Sequence, residues 1–597
     1  MTFPPTGLIS ASQFKTNTIP YIMTPKRNLL VGGILLALLV VLLMPQLEKE
    51  EPRPQLASMN FIKCTVAKFL LDDIDSTQQI APLFSGLGDL TFPISVSKDE
   101  AQKFFDQGLR LTYGFNHAEA HRSFMEASRL DNSAAMAYWG QAYTLGPNIN
   151  DPLPDNERRK NALEAIEKAQ SLSATAKPIE KALIAALASR YSADTTLEIS
   201  QLNEAYMNAM EKVVLQFPED DNVQTLYAAA VMNTVPWNYW DNDGNPSPNI
   251  PAAKKALEKA IALNPKNPGA HHYYIHMVEL PKPDLAVPSA DALGKLMPSA
   301  GHIVHMPSHI YIRVGRYQDA VLANQKAILA DEDYISQCYA QGMYPLGYYP
   351  HNIHFLWSAA SLLGDSEIAI AAAKKTAEKV PIGEMKDLHF LQNFASTPLL
   401  AYVRFGKWND ILTTPSPNAD IKHLKLIWHY ARGVAFVKKN NLKEAKEELG
   451  AISGMLEDES MEALMAVGFD NSHTIAQLAY EVVAGEIAAH EKNHAKAIMH
   501  LRKAVELEDN LVYNEPSAWY IPPRQNLGAV LLEAKKYAEA ESIFKEDLED
   551  LRQNGWSLMG LYKSLEAQGK TEEAEKTLKE FQEAWQHADF EITTSVL

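Results

Sequence analysis

The chain has 597 residues and carries 55 Lys plus Arg against 73 Asp plus Glu, a formal net charge of −18 that argues against a nucleic-acid partner gripped by a basic surface. With 46% hydrophobic and 21% charged residues, 28 Gly and 34 Pro, the composition excludes a mostly disordered, collagen-like or low-complexity polymer. Two cysteines, Cys64 and Cys338, exclude a disulfide framework or a Cys-rich zinc module, so any metal must be held by His and carboxylates.

Residues 29–44, LLVGGILLALLVVLLM, form a run of sixteen uncharged residues, close to the ~20 that span a bilayer. Lys15, Lys26 and Arg27 precede it without an acid, and Glu48, Glu50 and Glu51 follow. That bias predicts a cytoplasmic tail over 1–27, a transmembrane signal-anchor over 28–45 and a tether over 46–97. The expected product is a single-pass protein of the cell membrane with its bulk periplasmic or extracellular. A cleaved signal peptide, with Leu56, Ala57 and Ser58 at its end, is the alternative.

From residue 100 onward the periodicity is helical and no run alternates as a strand does, so the class is all-α. A recurrence near 34 residues runs through it: Gly108, Ala120, Phe124 and Ala127; Gly315, Tyr317, Ala320 and Ala327; Gly485, Ala497, Leu501 and Ala504; Gly528, Tyr537, Ala540 and Phe544. Small residues at these steps let two antiparallel helices cross closely and the next pair stack on them. The pattern resembles tetratricopeptide repeats (TPR) and predicts a TPR-like α-solenoid, a superhelix of antiparallel helix pairs, divided as arrays over 98–380 and 381–590.

The stretches LTYGFNHAEA, AYWGQAYTLGPNIN, HHYYIHMVE, GHIVHMPSHIYIRVGRY, YYPHNIHFLW and WYIPPRQNLGA are similar to a group of exported bacterial TPR proteins, over about residues 85–585. The resemblance implies fold and compartment and leaves chemistry open. Aromatic, Pro-rich segments at 236–251, 336–350 and 508–523 interrupt the repeats, either as covers over a pocket or as seals on helix ends.

Eight of the 18 His lie between 271 and 354. The first helix of each TPR unit lines the concave groove with positions 2, 5 and 9, which share one helical face. Pro265, Gly315 and Gly364 place unit starts at 268, 301 and 350. His272 and His276 then take positions 5 and 9, His302, His305 and His309 take 2, 5 and 9, and His351 and His354 take 2 and 5; only His271 falls outside. Crowded imidazoles oppose one another's protonation and suit a transition metal, Cu, Fe or Zn. Glu279 completes H-x3-H-x2-E as a carboxylate ligand or base, and seven His would also serve two ions with about three each. Met277 and Met306 offer thioethers or fill the core. Pro307 either kinks the helix between His305 and His309 or begins it.

Tyr311 stands behind the expected ligands, and Glu515, Trp519, Tyr520 and Arg524 beside a Pro-rich turn suggest a substrate pocket or an internal ion pair. His117 and His121, and His490, His494 and His500, read as structural or solvated. There is no phosphate loop, G-x-S-x-G elbow or HExxH. Two functions compete: a His-ligated metal centre of oxidoreductase type, and a metal-free scaffold holding a protein or peptide in its groove through residues such as Arg313 and Asn324.

Overall fold

A computed structural model describes residues 78–241, 244–337, 344–468 and 470–597. The tail, the apolar run 29–44 and most of the expected tether lie outside the described residues, as does Cys338 with 338–343 of the second aromatic segment. Among the described residues no helix is long and apolar enough to cross a membrane, and none forms a strand.

The architecture is a succession of helix hairpins. Asp99–Tyr113 packs on His117–Leu130, Lys422–Lys438 on Leu442–Leu456, Ser472–His490 on His494–Asp509, and Gly555–Ala567 on Thr571–Ala584, while each hairpin also leans on its neighbour in the chain. The packing code is a glycine and a large apolar side chain sixteen residues apart. Gly108 and Gly140 flank the Phe124 ring so closely that a Cβ would lie 2.7 and 2.4 Å from it. Gly528 and Gly560 flank Phe544 in the same way, at 2.3 and 2.2 Å, and Gly485 meets Leu501 at 2.7 Å. The hairpin turns bend through left-handed backbone at Gly315 and Gly364, with φ of 79° and 84°.

The unit starts expected at 268, 301 and 350 coincide, to within one residue, with helices Pro268–Val278, Gly301–His305 and Tyr349–Leu363. Pro307 breaks the middle helix, which resumes as Pro307–Arg313 after Met306 alone. The proline has no N–H to donate and its ring crowds the previous turn, so the expected kink is present with helical residues on both sides. The second half of the first unit is irregular, a 3-10 turn over Pro283–Ala286 followed by Val287–Leu293.

Residues 78–97, expected within a tether, instead lie extended along the first hairpins. Side-chain acceptors on the helices replace the missing strand partner: Ile80 N–H donates to Glu126 at 2.9 Å, Phe84 to Gln107 at 2.8 Å, Phe92 to Asp106 at 2.9 Å and Ser95 to Glu180 at 2.7 Å. Peptide groups packed against an apolar surface need such partners.

Candidate metal centre

Helix Pro268–Val278 opens with Asn267 accepting from the Ala270 N–H and places His272 and His276 one turn apart on a buried face. His302 and His305 come from Gly301–His305, His309 from beyond the kink, and His351 from Tyr349–Leu363. Gly301 admits the buried Asp331 carboxylate, which occupies the space a Cβ would need. Tyr344 ties that carboxylate (2.7 Å) to the His302 N–H (3.3 Å) and so positions the start of the helix.

Six imidazoles meet in two sets of three. The ligand atoms of His272, His276 and His302 all lie within 4.8 Å of one another, and so do those of His305, His309 and His351. In the first set His302 Nε2 is 3.2 Å from His272 Nε2; in the second His305 Nε2 is 2.8 Å from His309 Nε2 and 3.2 Å from His351 Nε2. Each set has one phenyl ring against all three imidazoles. Phe115 lies 4.3, 5.8 and 5.4 Å from His272, His276 and His302, and Phe355 lies 4.9, 4.7 and 5.7 Å from His305, His309 and His351.

The opposite nitrogens are held from behind. His272 Nδ1 donates to the Tyr113 carbonyl at 2.6 Å and His305 Nδ1 to Asn324 Oδ1 at 2.6 Å. The Asn324 amide is oriented by its Nδ2, which donates to the Ala320 carbonyl at 2.8 Å. Glu279 takes one ring of each set: His276 Nδ1 at 3.2 Å on Oε1 and His309 Nδ1 at 2.8 Å on Oε2. All these partners accept only, so the four rings carry their proton on Nδ1 and turn a bare Nε2 lone pair inward. His276 Nε2 and His302 Nδ1 are buried with no hydrogen-bond partner.

Burial, and then the neighbouring imidazoles, hold His272, His302, His305 and His351 well below the ordinary histidine range. Burial lowers His276 too, against the opposing Glu279 charge. For Glu279 burial works against the charge, but His309 and His276 outweigh it and the carboxyl falls to about 2. The result is a charged Glu279 behind a cluster in which His272, His276, His302, His305 and His351 are held toward the neutral form.

His276 and Glu279 form part of the wall of a cavity of about 650 Å³. Trp237 and Trp240 from the first aromatic segment and Tyr513, Glu515 and Trp519 from the third line it. Tyr348, from the second, stands 4.8 Å from the His302 ring. The interruptions therefore lie over the site as well as over helix ends.

Five expected participants stand elsewhere or differently. His354 is one turn beyond His351, but its Nε2 meets Tyr520 Oη at 2.9 Å and its ring lies between Trp357 and Phe394; it joins neither set. The reason is spacing: position 9 of its unit is Ser358, so it has no histidine one turn on. Tyr311 donates to Asp291 at 2.9 Å and stacks under Arg316, away from the imidazoles, because Asp291 offers its hydroxyl an acceptor. Glu279 spends both oxygens on imidazole Nδ1 atoms, although it also forms a third candidate set with His276 and His309. Arg524 and Trp519 line the cavity, Arg524 paired with Asp509 at 2.7 Å and Trp519 packed on Tyr430 at 4.9 Å.

The sequence reading missed Phe115, Phe355 and the Tyr113 carbonyl. Phe115 sits in a hairpin turn with φ of 58°, and nothing local in the sequence marks a phenylalanine for that backbone. Met277 and Met306 are fully buried core residues.

No protein-family model and no curated protein matches the chain. Among solved structures it is similar to the human IFIT1 dimer with m7Gppp-AAAA, with a TM-score of 0.31 and 14% identity over 83% of this chain and 96% of that one. It is also similar to yeast Tom70, at 0.27 and 12% over 81% and 90%, and to the APC/C hetero-tetramer Cut9-Hcn1, at 0.26 and 13% over 83% and 91%. Likenesses this distant say nothing of ligand or activity.

Proposed function

We propose that this protein is a metal-binding helical-repeat protein whose imidazole cage holds a transition metal beside a substrate-sized cavity, with chemistry of the oxidoreductase class. One observation carries the reading. His305 and His309 both have their proton on Nδ1, toward Asn324 and Glu279, yet their Nε2 atoms approach to 2.8 Å. Two bare lone pairs repel at that distance unless a proton or a metal cation lies between them. Two nitrogens bound ~2.0–2.1 Å from one ion at a tetrahedral angle are ~3.3 Å apart, close to the 3.2 Å of His272–His302 and His305–His351 and wider than the 2.8 Å of His305–His309. Carbonyl and carboxylate groups behind the rings are what ligating histidines ordinarily have.

Metal analysis of the purified full chain tests this. At least one equivalent of Cu, Fe or Zn is expected; less than a tenth of an equivalent after gentle preparation and reloading contradicts it.

A metal-free platform for a protein partner is the second reading, favoured by the hairpin array itself, since such arrays present long concave surfaces. Asn324 is buried against His305 and does not serve a peptide, whereas Arg313 lines the cavity. A stoichiometric partner lost on Arg313→Ala and kept on His305→Ala would favour this reading. The charge pattern flanking residues 29–44 supports membrane anchoring with the body exported; protease protection of the body in spheroplasts, where any outer membrane is removed, would contradict the anchored, external arrangement.

A further inference from the structure

We propose that the centre is dinuclear, a pair of copper ions each held by three Nε2 atoms, and that in its reduced form it binds dioxygen. The inference rests on the metal-binding reading above and adds to it the number of ions, their identity and a ligand class.

The two sets repeat one construction. Each takes positions 5 and 9 of one hairpin and position 2 of the next: His272 and His276 with His302, then His305 and His309 with His351. Each has one phenyl ring against all three imidazoles, and Glu279 reaches one member of each. The sets adjoin, with His276 and His309 rings 5.4 Å apart and His302 and His305 rings 5.8 Å apart. A single ion uses one set and leaves an equivalent one bare.

Charge selects the metal. Two divalent ions would place four positive charges in a buried site whose Glu279 carboxylate is already engaged with imidazole N–H groups. Two Cu(I) ions place two. Low local dielectric makes that difference decisive, and three neutral imidazoles suit copper, while a two-His, one-carboxylate iron site would need Glu279 turned onto the metal. Three-coordinate Cu(I) leaves room for a ligand. Each Cu(I) gives one electron, so one dioxygen accepts two and is held as the peroxide dianion between two Cu(II), with no proton required.

The experiment is anaerobic titration of the metal-free full chain with Cu(I), followed by air, with bound copper, electron paramagnetic resonance and circular dichroism recorded for wild type, His272→Asn and His351→Asn. Two tightly bound equivalents are expected for wild type and one for each variant, all with unchanged helix content. After air, wild type should keep its copper, gain peroxide-to-Cu(II) charge-transfer absorption and show almost no Cu(II) resonance, because the two spins couple; a silent but colourless sample is unreacted Cu(I) and overturns dioxygen binding. One equivalent in wild type, loss of both ions in both variants, or a full uncoupled Cu(II) signal overturns the pair while leaving a metal centre standing. No bound copper, and no zinc in a parallel titration, overturns the metal-binding reading itself.

Discussion

Two parts of the chain carry histidines at helical spacing, and they come to opposite ends. His490, His494 and His500 lie on a C-terminal hairpin, where His490 Nε2 meets Asn440 at 2.7 Å, His500 Nδ1 meets Glu481 at 2.5 Å and His494 stands 3.7 Å from Glu533, all with solvent access. The six central rings are drawn from three successive units and meet each other in the interior. Spacing four apart places His272 and His276 on one helical face, whereas His490 ends one helix and His494 begins the next. What also separates the two regions is whether the next hairpin adds a third ring and whether an acceptor behind each ring fixes its tautomer. The three-ring cluster is a property of the stacking of repeats, since each set draws on two successive units.

The sharpest way to break this comparison is to exchange its terms. His305→Ala with His309→Ala should remove at least half of the bound metal, while His490→Ala with His494→Ala should leave metal content unchanged; equal losses would place the metal on the surface hairpin. A mutation in the packing code tests the frame alone. Phe544→Ala opens a cavity between Gly528 and Gly560 and should cost about 3–5 kcal/mol in chemical denaturation, with metal stoichiometry retained below the transition.

Glu279→Gln is milder. It keeps shape but takes the charge from behind one ring of each set, and an orienting partner of this kind ordinarily accounts for about 10–100-fold in metal affinity. Competition with a chelator should show that loss; an unchanged affinity would mean the carboxylate does not orient the ligands.

The smallest effect concerns the support of the Gly301 helix. Burial raises Asp331 to about 7, against the hydrogen bonds from Tyr344 and Asn352. A raised carboxyl binds its proton more tightly in the folded state, so its contribution is complete below about pH 3.8 and is lost as pH rises through 7. Wild type should therefore lose thermal stability relative to Asp331→Asn between pH 4 and 8, and parallel melting curves would contradict the assignment.

Much of this frame was legible in the sequence because repeats are local. Gly315 and Gly364 mark turns and Pro307 marks a kink, and counting from Pro265, Gly315 and Gly364 assigns six of the seven expected His ligands to their helices and faces. His354 went astray because membership in a set depends on Ser358 and on Tyr520, a residue far along the chain that accepts or donates at its Nε2. Tyr311 went astray because Asp291 and Arg316 give its hydroxyl and ring better partners than the imidazoles do. The Tyr113 carbonyl lies 159 residues from His272, beyond any pattern a helical period can carry.

Anomalous diffraction from crystals of the metal-loaded chain tests the central claim most directly. The account predicts peaks among the Nε2 atoms of His272, His276 and His302 and among those of His305, His309 and His351. A loaded crystal whose anomalous density lies outside both sets, or a chain that crystallises with no bound metal after loading, would contradict it.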